Sequence, residues 1–165
     1  MGERVLKLLH AVRASRAEWD ALLAQIPPED WLEPLEPGGW TLKDIAAHVT
    51  WYEREVIPAF LTHVMEGSEL WLLPLEERNQ AIYRLNRQRP LAEVMAESAA
   101  VFERFSAAVE TLEDADLDDP ARFKFMPPDW KPYMLITTNS LEHYQDHIAT
   151  VRAWREKKSS PRRVT

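Results

Sequence analysis

The sequence predicts an all-α protein, a four-helix bundle with long crossover connections and a short extra helix. Three observations support this fold class. Apolar residues recur at three- and four-residue spacings in four long segments, as they do on one face of an α-helix. Strand-like alternation is absent, apart from a brief stretch at 121–125. The connections between the segments are of unequal length, which permits a crossover topology rather than simple up-and-down pairing.

The first helix is predicted over residues 2–25. Its apolar side chains lie three, four or seven positions apart, and Pro27 and Pro28 close the segment. The stretch that follows, 27–39, contains four prolines and two glycines. It is therefore expected to be a loop.

The second helix has a well-marked beginning. Thr41 can serve as its N-cap, and Asp44 lies three residues later, as in a capping box. Trp40, immediately before the cap, occupies a hydrophobic-staple position. We expect the helix to run to about Glu66, with a kink at Pro58.

The remaining helices are delimited by prolines. A short helix is predicted over 74–88, and a long one with a continuous apolar stripe follows Pro90. A proline-rich, acidic loop covers about 113–131. The final helix is expected to run from about Pro132 to Lys157.

Length and charge limit the kinds of protein that this can be. At 165 residues the chain fits one domain, expected over 1–158 and followed by a flexible basic tail at 159–165. The net charge of -7 argues against nucleic acid or an anionic membrane as partner. No apolar run approaches the ~20 residues of a membrane helix, so we expect a cytoplasmic protein. The absence of cysteine removes thiolate ligands and a cysteine nucleophile.

The histidines are the candidate metal ligands. His143 and His147 lie one helical turn apart and project from one face, so they can bind one ion, although chance also produces this spacing. A stable but open site needs a third ligand. His48, two turns into the capped helix, is the best candidate, with a hydrogen-bonded core histidine as the alternative. His10 and His63 have polar helical neighbours and are expected at the surface.

Acid–base residues are harder to select. Glu55 lies about two turns from His48 and is a candidate base or partner of a metal ligand. Tyr52 is a candidate proton donor or pocket residue. Glu142 and Asp146 flank the histidine pair, but they are expected to point away from its face.

These residues carry a resemblance to a known family. The stretch 38-GGWTLKDIAAHVTWYE-53, together with 142-EHYQDHIATVRAW-154, resembles the DinB/YfiT-like superfamily of four-helix bundles. The segment 79-NQAIYRLNRQRPLAEVMAES-98 is similar to a common bacterial branch of it, and the resemblance spans about residues 5–155. In that superfamily three histidines coordinate a divalent metal, usually zinc or nickel. The resemblance implies that the ligands here are His48, His143 and His147.

The resemblance implies several functions. Relatives include hydrolases and S-transferases that use a low-molecular-weight thiol, so we expect a metal-dependent enzyme acting on a small electrophilic substrate, assisted by Glu55 and Tyr52. The alternative is a non-catalytic protein that binds or sequesters a small molecule under stress, with a structural metal or none. A third possibility is a bundle dimer that binds metal incidentally. The family and the seven tryptophans favour a homodimer.

Overall fold

The computed structural model describes residues 2–159, and helices dominate this part of the chain. The α-helices are α1 (Glu3–Leu23), α2 (Leu42–Thr62), α3 (Leu75–Asn86), α4 (Leu91–Glu110), α5 (Pro132–Ile136) and α6 (Glu142–Ser159). A π-helical turn, Thr137–Leu141, joins α5 to α6, so the final helix is continuous. Most of the tail expected at 159–165 lies outside the described residues, and Ser159 is the last residue of α6.

The all-α prediction is confirmed. Between residues 2 and 159 the backbone forms no strand, and only isolated bridges join Pro34 to Thr41 and Val64 to Lys124. The alternating stretch at 121–125 overlaps a 3-10 turn, Pro120–Arg122. In the same part of the chain, no helix has the length and low charge content needed to cross a bilayer.

Four long helices form the bundle, and their order is not sequential. Helix α1 packs against α4 and the final helix, and α2 packs against the same two, so α1 and α2 are not neighbours. Helices α2 and α4 run parallel, since Ala46 packs with Val94 and, further along both helices, Phe60 contacts Phe105. Helix α1 likewise runs parallel to α6. The connection between the parallel helices α2 and α4 must therefore return along the length of the bundle, and α3 lies in it.

The helix boundaries follow local chemistry. Both halves of the capping box between Thr41 and Asp44 are present at the beginning of α2. Helix α2 ends at Thr62 rather than at Glu66, because His63 adopts a left-handed conformation with φ 54 that ends the helix. Pro58 lies within α2, near its end.

Two clusters of buried apolar side chains fill the bundle. One lies towards the beginning of α1 and the end of α2, and its largest members include Leu9, Ile57, Phe60, Phe105, Leu112 and Ile136. The other lies towards the end of α1 and the beginning of α2, and includes Trp19, Leu42, Ile45, Tyr144, Ile148 and Trp154. Since α2 and the final helix contribute to both clusters, their relative positions are fixed along much of their length.

Candidate metal centre

The three histidines predicted as ligands come together between α2 and α6. His48 Nε2 lies 2.9 Å from His143 Nε2, and the His147 ring centroid is 5.4 Å from that of His48. One nitrogen from each of the three imidazoles lies within 4.8 Å of the others. This group, called the histidine triad below, could hold a metal ion.

Local helix structure sets the positions of the three side chains. The capping box at Thr41 determines where α2 begins and places His48 about two turns further on. His143 and His147 occupy the first two turns of α6, immediately after the π-helical turn. The turn contains the backbone hydrogen bond from Glu142 N–H to Thr137 O, an i to i−5 bond. Such turns are frequent at functional sites.

Burial makes the triad neutral. Desolvation, reinforced by the neighbouring imidazoles, lowers the pKa of His48 to about 2. The same two causes lower the pKa of His143 to about 3. Burial also lowers the pKa of His147 to about 4, although Asp146 opposes this shift. Neutral imidazole is the form that binds metal, so these groups need not lose a proton at pH 7.

The hydrogen bonding of the triad fits a metal better than it fits the protein alone. Nδ1 of His48 and Nδ1 of His143 are buried and have no hydrogen-bond partner among residues 2–159. The two Nε2 atoms, in turn, face each other. Buried polar groups normally have partners, so the described part of the chain alone does not satisfy the hydrogen-bonding capacity of these two imidazoles. Three imidazoles suit a divalent transition-metal ion.

A cavity opens beside the triad. Its volume is about 620 Å³, within the range of small-molecule sites. All three histidines line it, and further wall residues come from the turn before α3, from α3 and from the segment before α5: Trp71, Arg78, Asn79, Trp130 and Lys131. A ligand in this cavity would have direct access to an ion held by the triad.

The two predicted catalytic assistants lie in different surroundings. Tyr52 lines the same cavity, and its ring centroid is 4.9 Å from that of His48 and 5.1 Å from that of His143. Glu55 lines an adjoining cavity of about 610 Å³ instead, and its carboxylate accepts a hydrogen bond from Ser68 N–H at 3.1 Å. The catalytic roles of Tyr52 and Glu55 remain predictions.

The other polar residues near the triad differ partly from expectation. Asp146, expected to point away, lines the cavity although it is exposed. His10 is exposed as expected, whereas His63 is half-buried and its ring packs 4.8 Å from that of Phe123.

A second polar cluster, which the sequence reasoning missed, lies behind the triad. Glu53 is 0% exposed, and Tyr144, also 0% exposed, donates its hydroxyl hydrogen to Glu53. Arg16 donates to the Tyr144 hydroxyl at 3.1 Å and to Asp20 at 2.9 Å. Glu53 follows Tyr52 and Tyr144 follows His143 in the sequence, so each lies on a helix face next to the one that carries the site residue. This was the feature of the sequence that could have indicated the cluster. The cluster joins α1, α2 and α6 at the level of the triad.

The fold and the triad together define a class, that of four-helix bundles with a three-histidine group that could bind metal. A family model described as "DinB superfamily" matches residues 11–151, and the chain belongs to this superfamily. None of the curated proteins compared with the chain matches it significantly.

Solved structures share the fold across nearly the whole chain. The chain is similar to "Sibling Lethal Factor Precursor - DfsB", with a TM-score of 0.79, 16% identity, and coverage of 98% of this chain and 100% of the other. An Escherichia coli UTI89 protein gives a TM-score of 0.72 at 17% identity, with 95% of each chain covered. A Streptococcus pneumoniae protein gives 0.75 at 16% identity, covering 94% of this chain and 92% of its own. At these identities the likeness concerns the fold alone.

Proposed function

We propose that the protein is a divalent-metal-dependent enzyme, with zinc or nickel held by His48, His143 and His147. Its substrate is a small electrophile, and the reaction is hydrolysis or transfer of a low-molecular-weight thiol. The observation that carries the proposal is the convergence of three neutral imidazoles on the wall of an open cavity. A purely structural site would be closed by a fourth protein ligand.

In this proposal the triad and Tyr52 have different roles. The triad holds the ion, which supplies Lewis-acid chemistry when bound. Tyr52 packs edge-on against two of the three rings and restricts their orientation, while its hydroxyl lies on the cavity side. Because the chain has no cysteine, a sulfur nucleophile must come from a thiol in solution.

Metal content tests the proposal directly. Untagged protein, supplied with zinc or nickel and then freed of loosely bound ions, is expected to retain about one ion per chain. The variant His143→Ala/His147→Ala is expected to retain none, because two of three ligands are gone. His10→Ala is the matched control, since His10 is exposed on α1 and far from the triad in sequence. Lack of stoichiometric metal in the unmodified protein would refute the metal-dependent function.

One observation favours a non-catalytic alternative, in which the cavity sequesters a small molecule. Among residues 2–159 no carboxylate forms a hydrogen bond with a triad nitrogen, and the predicted base Glu55 lies in the adjoining cavity. A screen of electrophiles with bacillithiol, mycothiol and glutathione separates the alternatives. Thiol-dependent turnover supports a transferase, thiol-independent turnover supports a hydrolase, and tight binding without turnover supports sequestration.

The expected homodimer is a separate proposal. Four of the seven tryptophans are buried, and two more are half-buried, so only Trp130, 47% exposed, has much surface free to cover. The tryptophans therefore add little to the case for a dimer. Sedimentation equilibrium over a range of protein concentrations measures the oligomeric state.

A further inference from the structure

Arg78 is a cation beside the triad that forms no ion pair within the described part of the chain, although it also lines the adjoining cavity with Glu55. Its Nε–H donates to the Tyr52 hydroxyl at 2.9 Å. Its guanidinium carbon lies 4.7 Å from the Trp71 ring centroid and 5.5 Å from that of Tyr52. No carboxylate in the described part of the chain forms an ion pair with it. By contrast, Arg54, also half-buried, pairs with Glu97 at 2.7 Å.

The surroundings of Arg78 restrict its movement. Trp71, which covers one side of the guanidinium, packs so closely on Gly67 that a Cβ atom there would lie 2.5 Å from the indole ring. Only glycine permits this approach. Tyr52 covers another side and is itself packed 4.9 Å, ring to ring, from Trp51. An arginine held between aromatic rings loses little further entropy when it binds a ligand.

The hydrogen bonds around Tyr52 leave neighbouring N–H donors without an acceptor in the described part of the chain. Because the Tyr52 hydroxyl accepts from Arg78, its own hydrogen must go elsewhere, and Asn79 Oδ1 accepts it at 2.9 Å. The amide of Asn79 is therefore oriented with its NH₂ group available. That NH₂ group and the two terminal nitrogens of Arg78 have no acceptor among residues 2–159. Donors without acceptors predominate here.

Arg78 and the triad face the same cavity, separated by one tyrosine ring. Tyr52 contacts Arg78 on one side and His48 on another, so the guanidinium carbon lies no more than about 10 Å from the His48 ring, the length of a small metabolite. Two exposed carboxylates, Asp129 and Asp146, also line the cavity, and neither pairs with Arg78. A molecule of this size can reach both the arginine and the triad.

We propose that Arg78, assisted by Asn79, binds the carboxylate of the small molecule that enters the triad cavity. The guanidinium fork matches a carboxylate with two parallel hydrogen bonds, and such charge-assisted bonds are the strong ones. An anion in this position supplies the ion-pair partner that the described part of the chain does not. The inference rests on the proposed function in one respect, namely that the bound carboxylate belongs to the substrate of the metal centre.

The test measures binding rather than turnover and begins with metal-free protein. Benzoate and phenylacetate are titrated against their neutral amides, benzamide and phenylacetamide, by tryptophan fluorescence and by calorimetry. Trp71 and Trp130 line the cavity and serve as reporters. We expect each carboxylate to bind at least about tenfold more tightly than its amide. Equal affinities in the unmodified protein would overturn the inference.

Variants assign the preference to one residue. Arg78→Gln is expected to abolish the preference for carboxylate, and Arg78→Lys to retain part of it, since lysine keeps the charge but not the fork. Arg84→Gln, on the same helix and exposed, is the matched control and should retain the full preference. If the preference disappears in Lys131→Gln and persists in Arg78→Gln, the inference is wrong. Should Arg78→Gln fail to fold, Arg78→Lys and Lys131→Gln still decide between the two cations.

Metal content of the same proteins separates this inference from the proposed function. Arg78→Gln should bind zinc or nickel as the unmodified protein does, because it removes no triad ligand. Carboxylate preference without metal uptake would retain the anion site and refute the metal-dependent function. Metal uptake with no carboxylate preference would refute the anion site and leave the metal-dependent function standing.

Discussion

Glu53 places an ionisable carboxyl in the centre of the bundle, with no exposed surface. One oxygen accepts a hydrogen bond from Tyr144, and the other has no hydrogen-bond partner, with Arg16 3.9 Å away. Burial raises the pKa of Glu53 to about 7, although the Tyr144 hydrogen bond and the Arg16 charge oppose the shift. Near neutral pH the residue is therefore divided between its two protonation states.

This pKa shift makes stability depend on pH. Folding raises the pKa from 4.5 to about 7, so the folded protein binds this proton more tightly than the unfolded chain. The resulting stabilisation is complete below pH 4.5 and is lost as the pH rises through 7. Glu53→Gln lacks the titrating carboxyl. As the pH rises from 5 to 8, we therefore expect its free energy of unfolding, measured by urea denaturation, to increase by about 1–3 kcal/mol relative to that of the unmodified protein. The exposed α4 residue Glu103 provides the control Glu103→Gln, which should show no such trend.

The triad titrates in the opposite sense, and this determines how metal affinity responds to acid. Since the pKa values are lowered to about 2 for His48, 3 for His143 and 4 for His147, protons compete weakly with an ion above pH 5. We expect zinc affinity to change less than about threefold between pH 7.5 and 5.5 and to fall steeply below about pH 4. Competition with a chromophoric chelator measures it. Release centred near pH 6 would contradict the lowered pKa values.

Sequence reasoning selected the triad but not Arg78, and the difference is physical. His48 can be located because the capping box at Thr41 determines the beginning of α2, and helical periodicity alone places His143 and His147 on one face. Arg78 enters the cavity through the packing of α3 on α2, which no local pattern in α3 records.

At the level of elements, the π-helical turn sets the rotation of α6 relative to α5. Leu135 and Ile136 on one side of it are buried in one core cluster, and Tyr144 and Ile148 on the other side belong to the other cluster. Without the extra residue, α5 and α6 could not both face the core while directing His143 at the triad. Nothing in the sequence of Thr137–Leu141 distinguishes it from ordinary helix, so the turn was not predicted.

Deleting Thr138 tests the importance of this turn. Removing one residue restores a regular α-helix and rotates α6 by about 100° relative to α5, because an α-helix has about 3.6 residues per turn. We expect a loss of about 2–4 kcal/mol in unfolding free energy and loss of metal binding. Thr138→Ala keeps the chain length and should preserve the metal site. Retained metal affinity in the deletion variant would show that the turn does not position the histidines.

For the whole molecule, metal binding should stabilise the folded state. The triad exists only when α2 and α6 are packed together, so an ion binds the folded chain in preference to the unfolded one. At a free-ion concentration 100 times the dissociation constant, the gain is about 2.7 kcal/mol. For a chain of this length that raises the melting temperature by roughly 5–10 °C. Scanning calorimetry of the unmodified protein and of His143→Ala/His147→Ala, in which no shift is expected, provides the check.

The architecture was predictable because local signals and overall topology agree. Amphipathic segments bounded by prolines located the helices, and the unequal connections indicated crossovers. The sequence did not predict which helices pack against each other or whether they run parallel or antiparallel, because this depends on which apolar faces pack together. The adjoining cavities at α3 follow from that packing as well.

The parallel arrangement of α2 and α4 has one further consequence. The segment that connects them, residues 63–90, must run back along the length of the bundle. The same segment supplies Trp71, Arg78 and Asn79 to the cavity wall. The three histidines of the triad all come from the bundle instead. On the two proposals made above, reactivity and selectivity are encoded in separate stretches of sequence. Exchange of residues 63–90 would then change the ligand while the three histidines stay in place.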